Sequence, residues 1–235
     1  MIKENELTEI RKYLLTKKLP IDILLEVQDH FISQISDLMK DENRDFNSAF
    51  DQVKETWRRE LMPYWRGEMN LEDTSDFVRK IKKEINYANL RVSLKWGSIP
   101  VAVLLISAFV LPAKSFGLFT VGILAALLLF TTVNYFRHVS DFKISRKYPN
   151  HILTLHQHSV MIFFLILGPL FTIFVDFIEK SDKIQSLLRF EGSVFEFVMV
   201  LMPIALVSYS CFYSLSAQKN YLRQIEKIKP FLRYL

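Results

Sequence analysis

Two carboxylates, Asp176 and Glu196, lie inside otherwise uncharged apolar runs of this 235-residue chain. A charge is expensive to hold in hydrocarbon, so an intramembrane acid is a candidate for proton or cation handling. Both fall within about a helical turn of the ends of their runs, where water or Lys180, Lys183 and Arg189 can reach them, and that shallow depth weakens the transport reading. Histidines 138, 151, 156 and 158 gather in one connection, but their spacing fits neither the two-histidine helical zinc motif nor a Cys/His pattern, and Asp141 is the only acid near them. They read as interfacial histidines partly protonated near anionic lipid. Glu26 and His30, four residues apart, read as a solvated polar face or a hydrogen bond between helices rather than an ion site. No Walker loop, dinucleotide glycine fingerprint, GxSxG elbow or HExxH helix occurs, and six glycines leave little material for phosphate-cradling loops. The single cysteine, Cys211, lies in an apolar run without a partner, which removes disulfide frameworks and cysteine-based zinc sites. The expectation is no enzyme, no cofactor and no metal.

The elements that must position these residues are mostly membrane helices. Residues 96–111 and 116–136 form two apolar runs joined at Leu111-Pro112-Ala113-Lys114-Ser115, and the second is uncharged over about the ~20 residues that a helix needs to cross hydrocarbon. Two more runs follow at 159–178, interrupted by Gly168-Pro169, and 194–215, interrupted by Pro203. Prolines there remove a backbone hydrogen bond and kink the helix, so neighbouring helices must cover the freed carbonyls. The fold class is all-α: a four-span integral membrane protein carrying a small helical domain.

Charge supplies the orientation. Six Lys and Arg precede the first run, four separate the second from the third and five follow the fourth, against one and three in the other two connections. The positive-inside rule then puts both termini and the central connection in the cytoplasm of a multi-pass protein. Trp96, Tyr135, Tyr209 and Tyr213 fall near the cytoplasmic ends of their runs, where amphipathic rings prefer the interface. Residues 1–68 carry 11 basic and 14 acidic side chains, so the positive charge of the whole chain belongs to the membrane part. Anionic lipid headgroups, not nucleic acid, are the expected partner of that charge. The start, MIKENELTEIRKYLL, has charges among its apolar residues and no signal-peptide pattern.

Residues 1–68 read as three helices. Leu7, Ile10 and Leu14 share a face; Leu19-Pro20 interrupts; then Ile21, Leu24, Leu25, Phe31, Ile32, Ile35, Leu38 and Met39 form a stripe with Glu26, Asp29, His30 and Asp37 away from its centre. Asp45 is a plausible N-cap for a third helix bearing Phe46, Ala49, Phe50, Val53, Trp57 and Leu61. Residues 69–95, with Asp73 or Thr74 as cap, read as a basic helix that runs into the first span without a stop before Pro100. Residues 216–235 interleave Tyr221, Leu222, Ile225, Ile228 and Leu232 with basic residues, the pattern of an amphipathic tail on the membrane surface or against the first domain.

The run LTEIRKYLLTKKLPIDILLEVQDHFISQISDLM, its polar turn and DFNSAFDQVKETW resemble the HAAS or permease-prefix domain that precedes membrane helices in many bacterial proteins. Leu19-Pro20, the Glu26/Asp29/His30 pattern and the short turn before Phe46 and Ala49 carry the resemblance over about residues 5–65; Trp57-Arg58-Arg59-Glu60-Leu61 departs from the family's glycine-containing close. It implies a bacterial inner-membrane protein with a regulatory role, commonly encoded beside PadR-type transcription regulators. The expected function is therefore a non-enzymatic regulatory or assembly protein whose first domain docks a protein partner. Glu26, Asp29 and Asp37 are the candidate docking residues, facing either a separate basic protein or the chain's own Lys219, Arg223, Lys227 and Lys229. The alternative is a small transporter or transporter subunit using Asp176 and Glu196.

Overall fold

The computed structural model describes residues 2–65 and 74–234, apart from the side chains of 166–170 and 234. Gly67, the expected boundary at Glu68 and the Asp73 cap lie outside the described residues. The described secondary structure is helical, with one isolated bridge, Tyr64 to Thr74. The chain divides into two compact units: Met1–Asn86 with Lys143–Leu155 and Leu222–Leu235, and Tyr87–Phe142 with His156–Tyr221.

The first unit is built on α1 (Glu4–Leu15), α2 (Ile21–Asp41) and α3 (Phe46–Leu61). Pro20 ends the run-in to α2, because its fixed φ suits a helix start and its missing N–H would be unsatisfied there in any case. Ile10, Leu14, Leu24, Phe31, Ile35 and Leu61 are fully buried, and the rings of Tyr13, Phe31, Phe50 and Trp57 pack on one another at 5.7–6.5 Å. The buried stripe of α2 is rotated slightly from the expected one: Val27 and Gln28 are inside, while Leu25, Ile32, Leu38 and Met39 are half-buried. Asp45 is the N-cap of α3, without a hydrogen bond from its side chain to the helix. Two distant segments complete this unit. In the tail, Ile225, Ile228, Phe231 and Leu232 are buried, and the Arg11 guanidinium lies 5.2 Å over the Phe231 ring.

The second unit contains most of α4 (Asp76–Val110), all of α5 (Ala113–Arg137), α6 (Val139–Phe142), α7 (Leu167–Glu179) and α8 (Ser181–Leu188), and most of α9 (Val194–Ile228). Three helices, α4, α5 and α9, are long and apolar enough to cross a membrane. At 1.5 Å per residue, the 35 residues of α4 and of α9 reach about 52 Å, well beyond a hydrocarbon core of about 30 Å. The expected juxtamembrane helix and the apolar run at 96–111 are one helix that passes through Pro100, and the apolar run at 194–215 and most of the tail are likewise one helix through Pro203.

The run at 159–178 differs from the other three. Ser159–Ile166 is a 3-10 helix that gives way to α7 at Leu167, so the run is not one continuous α-helix. Side chains from α9 account for the change. Ser214 Oγ accepts the Phe163 N–H at 3.0 Å and Gln218 Nε2 donates to the Val160 carbonyl at 3.1 Å, so outside groups enter the local ladder. Pro169 is the third residue of α7, where a missing N–H leaves no intrahelical bond unmade.

Candidate functional site

On α2, Glu26, Asp29 and Asp37 are exposed, and at 100° per residue they fall within an arc of about 80°. Buried Leu24, Phe31 and Ile35 occupy the opposite face, so the acids stand in a line backed by a fixed core. Among the described residues none of the three makes an ion pair. His30 does not pair with Glu26; its ring stacks at 6.1 Å on Trp57, whose indole N–H donates to Gln34 Oε1 at 3.0 Å. Lys219, Arg223, Lys227 and Lys229, the alternative partners in the tail, are exposed, and the tail's buried face is apolar.

A neighbouring acid that periodicity alone does not single out, Asp22, fastens a distant loop. The N-cap residue of α2, Pro20, has no side-chain hydrogen bond to offer the helix start. Instead the Ile21 and Asp22 N–H groups donate to the Ile152 and Leu153 carbonyls at 2.9 and 3.2 Å. The Asp22 carboxylate accepts the Ile23 N–H at 3.0 Å and the Leu155 N–H at 3.4 Å. Orphan donors of a helix start are thus met by a segment more than a hundred residues away. Burial pushes the Asp22 carboxyl up to about 6, against the pull of those hydrogen bonds and with a smaller upward push from Glu26.

The second unit is held by polar seams. Ser93 Oγ donates to the Tyr209 carbonyl at 2.6 Å and Ser208 Oγ to the Gly97 carbonyl at 2.7 Å. A Cβ on Gly97 would collide with the Tyr209 ring, so glycine is what lets α4 and α9 approach. About two turns before Gly97 on α4, Asn89 is 1% exposed and its Oδ1 accepts from Ser216 Oγ at 2.8 Å and Asn220 Nδ2 at 3.3 Å. Gln218, 0% exposed, accepts from Asn134 Nδ2 of α5 at 2.6 Å. The spacing Asn89, Ser93, Gly97 on α4 and Ser214, Gln218 on α9, small or polar groups four apart, is the signal that marks these seams in the sequence.

Asp176 and Glu196 are not joined by a hydrogen bond; each is engaged locally. Asp176 Oδ1 accepts from Lys180 Nζ at 2.6 Å, and that bond raises the Lys180 ammonium above its ordinary value. Glu196 Oε2 takes the Ser193 N–H and Oγ–H at 3.0 and 2.8 Å, an N-terminal cap on its own helix. Gln185 of α8 donates to the Ala108 and Leu111 carbonyls at 2.9 and 2.7 Å, and Arg189 Nε to Ala108 at 2.6 Å, so α8 covers the open carbonyls at the end of α4. Between α7, α8 and α9 lies an open pocket of about 240 Å³ with Asp176, Lys180 and Lys183 among its lining residues; Glu196 does not line it.

Of the histidines, His156 is buried, which lowers its imidazole below the ordinary value, His151 is half-buried and His158 exposed. Among the described residues no three His, Cys, Asp or Glu side chains are grouped to hold a metal ion. Compared with known proteins, the chain matches no family model, no curated protein and no solved structure.

Proposed function

We propose that the chain is a non-enzymatic regulatory or assembly protein of the bacterial inner membrane that docks a basic protein partner on the Glu26/Asp29/Asp37 face of α2. The observation that carries this reading is that face itself: three aligned, exposed carboxylates on a helix whose other side is locked in a core. Charge arranged this way speeds encounter with a basic partner and fixes its register. A PadR-type regulator is the partner class that the resemblance to prefix domains implies.

Four crossings with both termini in the cytoplasm complete the proposal. The 3-10 segment and α7 together hold 21 residues, about 35 Å of helix at their respective rises, which suffices for a fourth crossing. The fifteen-to-four charge bias supports that sidedness. The transporter reading draws less support, because Asp176 and Glu196 are each satisfied by a neighbour on their own stretch of chain.

The test is copurification of the full chain from its membrane in mild detergent, comparing wild type with Glu26→Gln/Asp29→Asn/Asp37→Asn. The triple variant is expected to lose its partner while keeping its thermal unfolding. Unchanged copurification removes this surface, and proton flux in liposomes that vanishes in Asp176→Asn revives transport. In a Cys211→Ser background, a cysteine at Asp182 should label only from outside and one at Lys227 only from the cytoplasm; cytoplasmic labelling at Asp182 or outside labelling at Lys227 rejects the topology.

A further inference from the structure

We propose that the wedge between α7, α8 and α9 binds one acyl chain of an anionic lipid, with the lipid's phosphate held at Lys183. The proposal is independent of the docking face on α2. Phe177, Ile184, Leu187, Met199 and Pro203 give the wedge apolar walls. Pro203 has no N–H to donate to the Met199 carbonyl, so that carbonyl lacks its intrahelical partner at a turn whose residues line the wedge. The volume of about 240 Å³ lies below the ~300–1,000 Å³ of pockets that enclose a whole small molecule. A pocket of that size suits a segment of a longer chain whose remainder stays in the bilayer.

The mouth decides the headgroup. Lys180 is neutralised by Asp176 at 2.6 Å, Arg189 is committed to the Ala108 carbonyl, and the Glu196 carboxylate, which feels Lys183 across space, takes its hydrogen bonds from Ser193 and is not part of the lining. Lys183 makes no ion pair among the described residues, and it leaves the lining with one net positive charge. The nearby acids Glu179 and Asp182 are exposed and do not line the wedge. An ammonium beside an apolar slot recognises a phosphate carrying an acyl chain, because a charge-assisted hydrogen bond holds the headgroup while the chain lies along the apolar walls. A zwitterionic headgroup would bring its own cation to the same ammonium and gains less.

Full-length protein in mild detergent is mixed with phosphatidylglycerol, with phosphatidylcholine of the same chains, or with glycerol phosphate lacking chains, and retained molecules are read by native mass spectrometry. One phosphatidylglycerol is expected to be retained in preference to phosphatidylcholine. Lys183→Ala should cut that retention about fivefold, the ~1 kcal/mol that one lysine contributes near anionic lipid, and Lys183→Arg should keep it. Val200→Trp, which fills the wedge, should abolish retention; if it fails to fold, Leu187→Phe serves the same purpose. Lys227→Ala, a cation elsewhere, should change nothing. Equal retention of both lipids, no effect of Lys183→Ala, or binding of the chainless phosphate as strong as that of the lipid would each overturn the site.

Discussion

The two units of this chain solve the packing problem in opposite ways. Around α2 and α3 the interior is apolar and aromatic, with Phe31, Ile35 and Leu61 fully buried while charged side chains face outward. Around α4, α5 and α9 the outside is apolar, with Leu165 and Val194 each 81% exposed, and the interior carries Asn89, Ser93, Ser208, Ser214 and Gln218. Water drives the first arrangement by expelling apolar surface. Lipid supplies no such drive between helices, so the second depends on close approach and on hydrogen bonds across the seams.

That contrast can be broken most severely in the first unit. Phe31→Ala should destabilise it by about 3–5 kcal/mol, since the ring is fully buried among Tyr13, Phe50 and Trp57. His30→Ala, on the exposed side, should cost much less. Chemical unfolding of the full chain in a Trp65→Phe/Trp96→Phe background, followed through the fluorescence of Trp57, tests both, and equal, negligible losses would place the core on another face.

Asp22 departs from the first unit's apolar plan, as buried Gln28 and Thr154 do, but it alone of these titrates, so pH isolates it. Its folded pKa of about 6 exceeds the ordinary 3.8, so the folded state binds the proton more tightly than the unfolded one. The resulting stability is fully present below pH 3.8 and is lost as pH rises through about 6. At about 1.4 kcal/mol per unit the loss reaches roughly 2–3 kcal/mol at neutral pH. Asp22→Asn should remove that slope and be the more stable form at pH 7.5. Parallel wild-type and variant profiles between pH 4 and 8 would show that the carboxyl does not titrate in the clasp.

In the second unit the expected effects are smaller. Gly97→Ala should cost about 1–3 kcal/mol by forcing apart the α4 and α9 contact at Tyr209. Gln218→Leu should cost about 0.6 kcal/mol and at most about 1.7 kcal/mol, the average and upper values for hydrogen-bonding side chains between membrane helices. Thermal unfolding in detergent reads both. A Gln218→Leu loss as large as that of Phe31→Ala would erase the distinction between the two interiors.

Amino-acid order by itself determined the helical class, three of its four apolar runs as parts of long helices, the proline start of α2 and the line of acids on its outer face. These follow from run length, from a 3.6-residue period and from the backbone limits of proline, all of which act within a few residues. It offered the first domain as one of two resting places for the tail, which the tail's apolar side joins, but gave no warning that 159–166 winds as a 3-10 helix or that α9 continues unbroken to Ile228. Nor did it reveal that Asp22 meets the Leu155 amide across 133 positions, or that Gln218 reaches Val160 across 58. Tertiary structure decided these, because a hydrogen-bonding group is satisfied by whichever partner packing brings within about 3 Å, and no local pattern records which partner that will be.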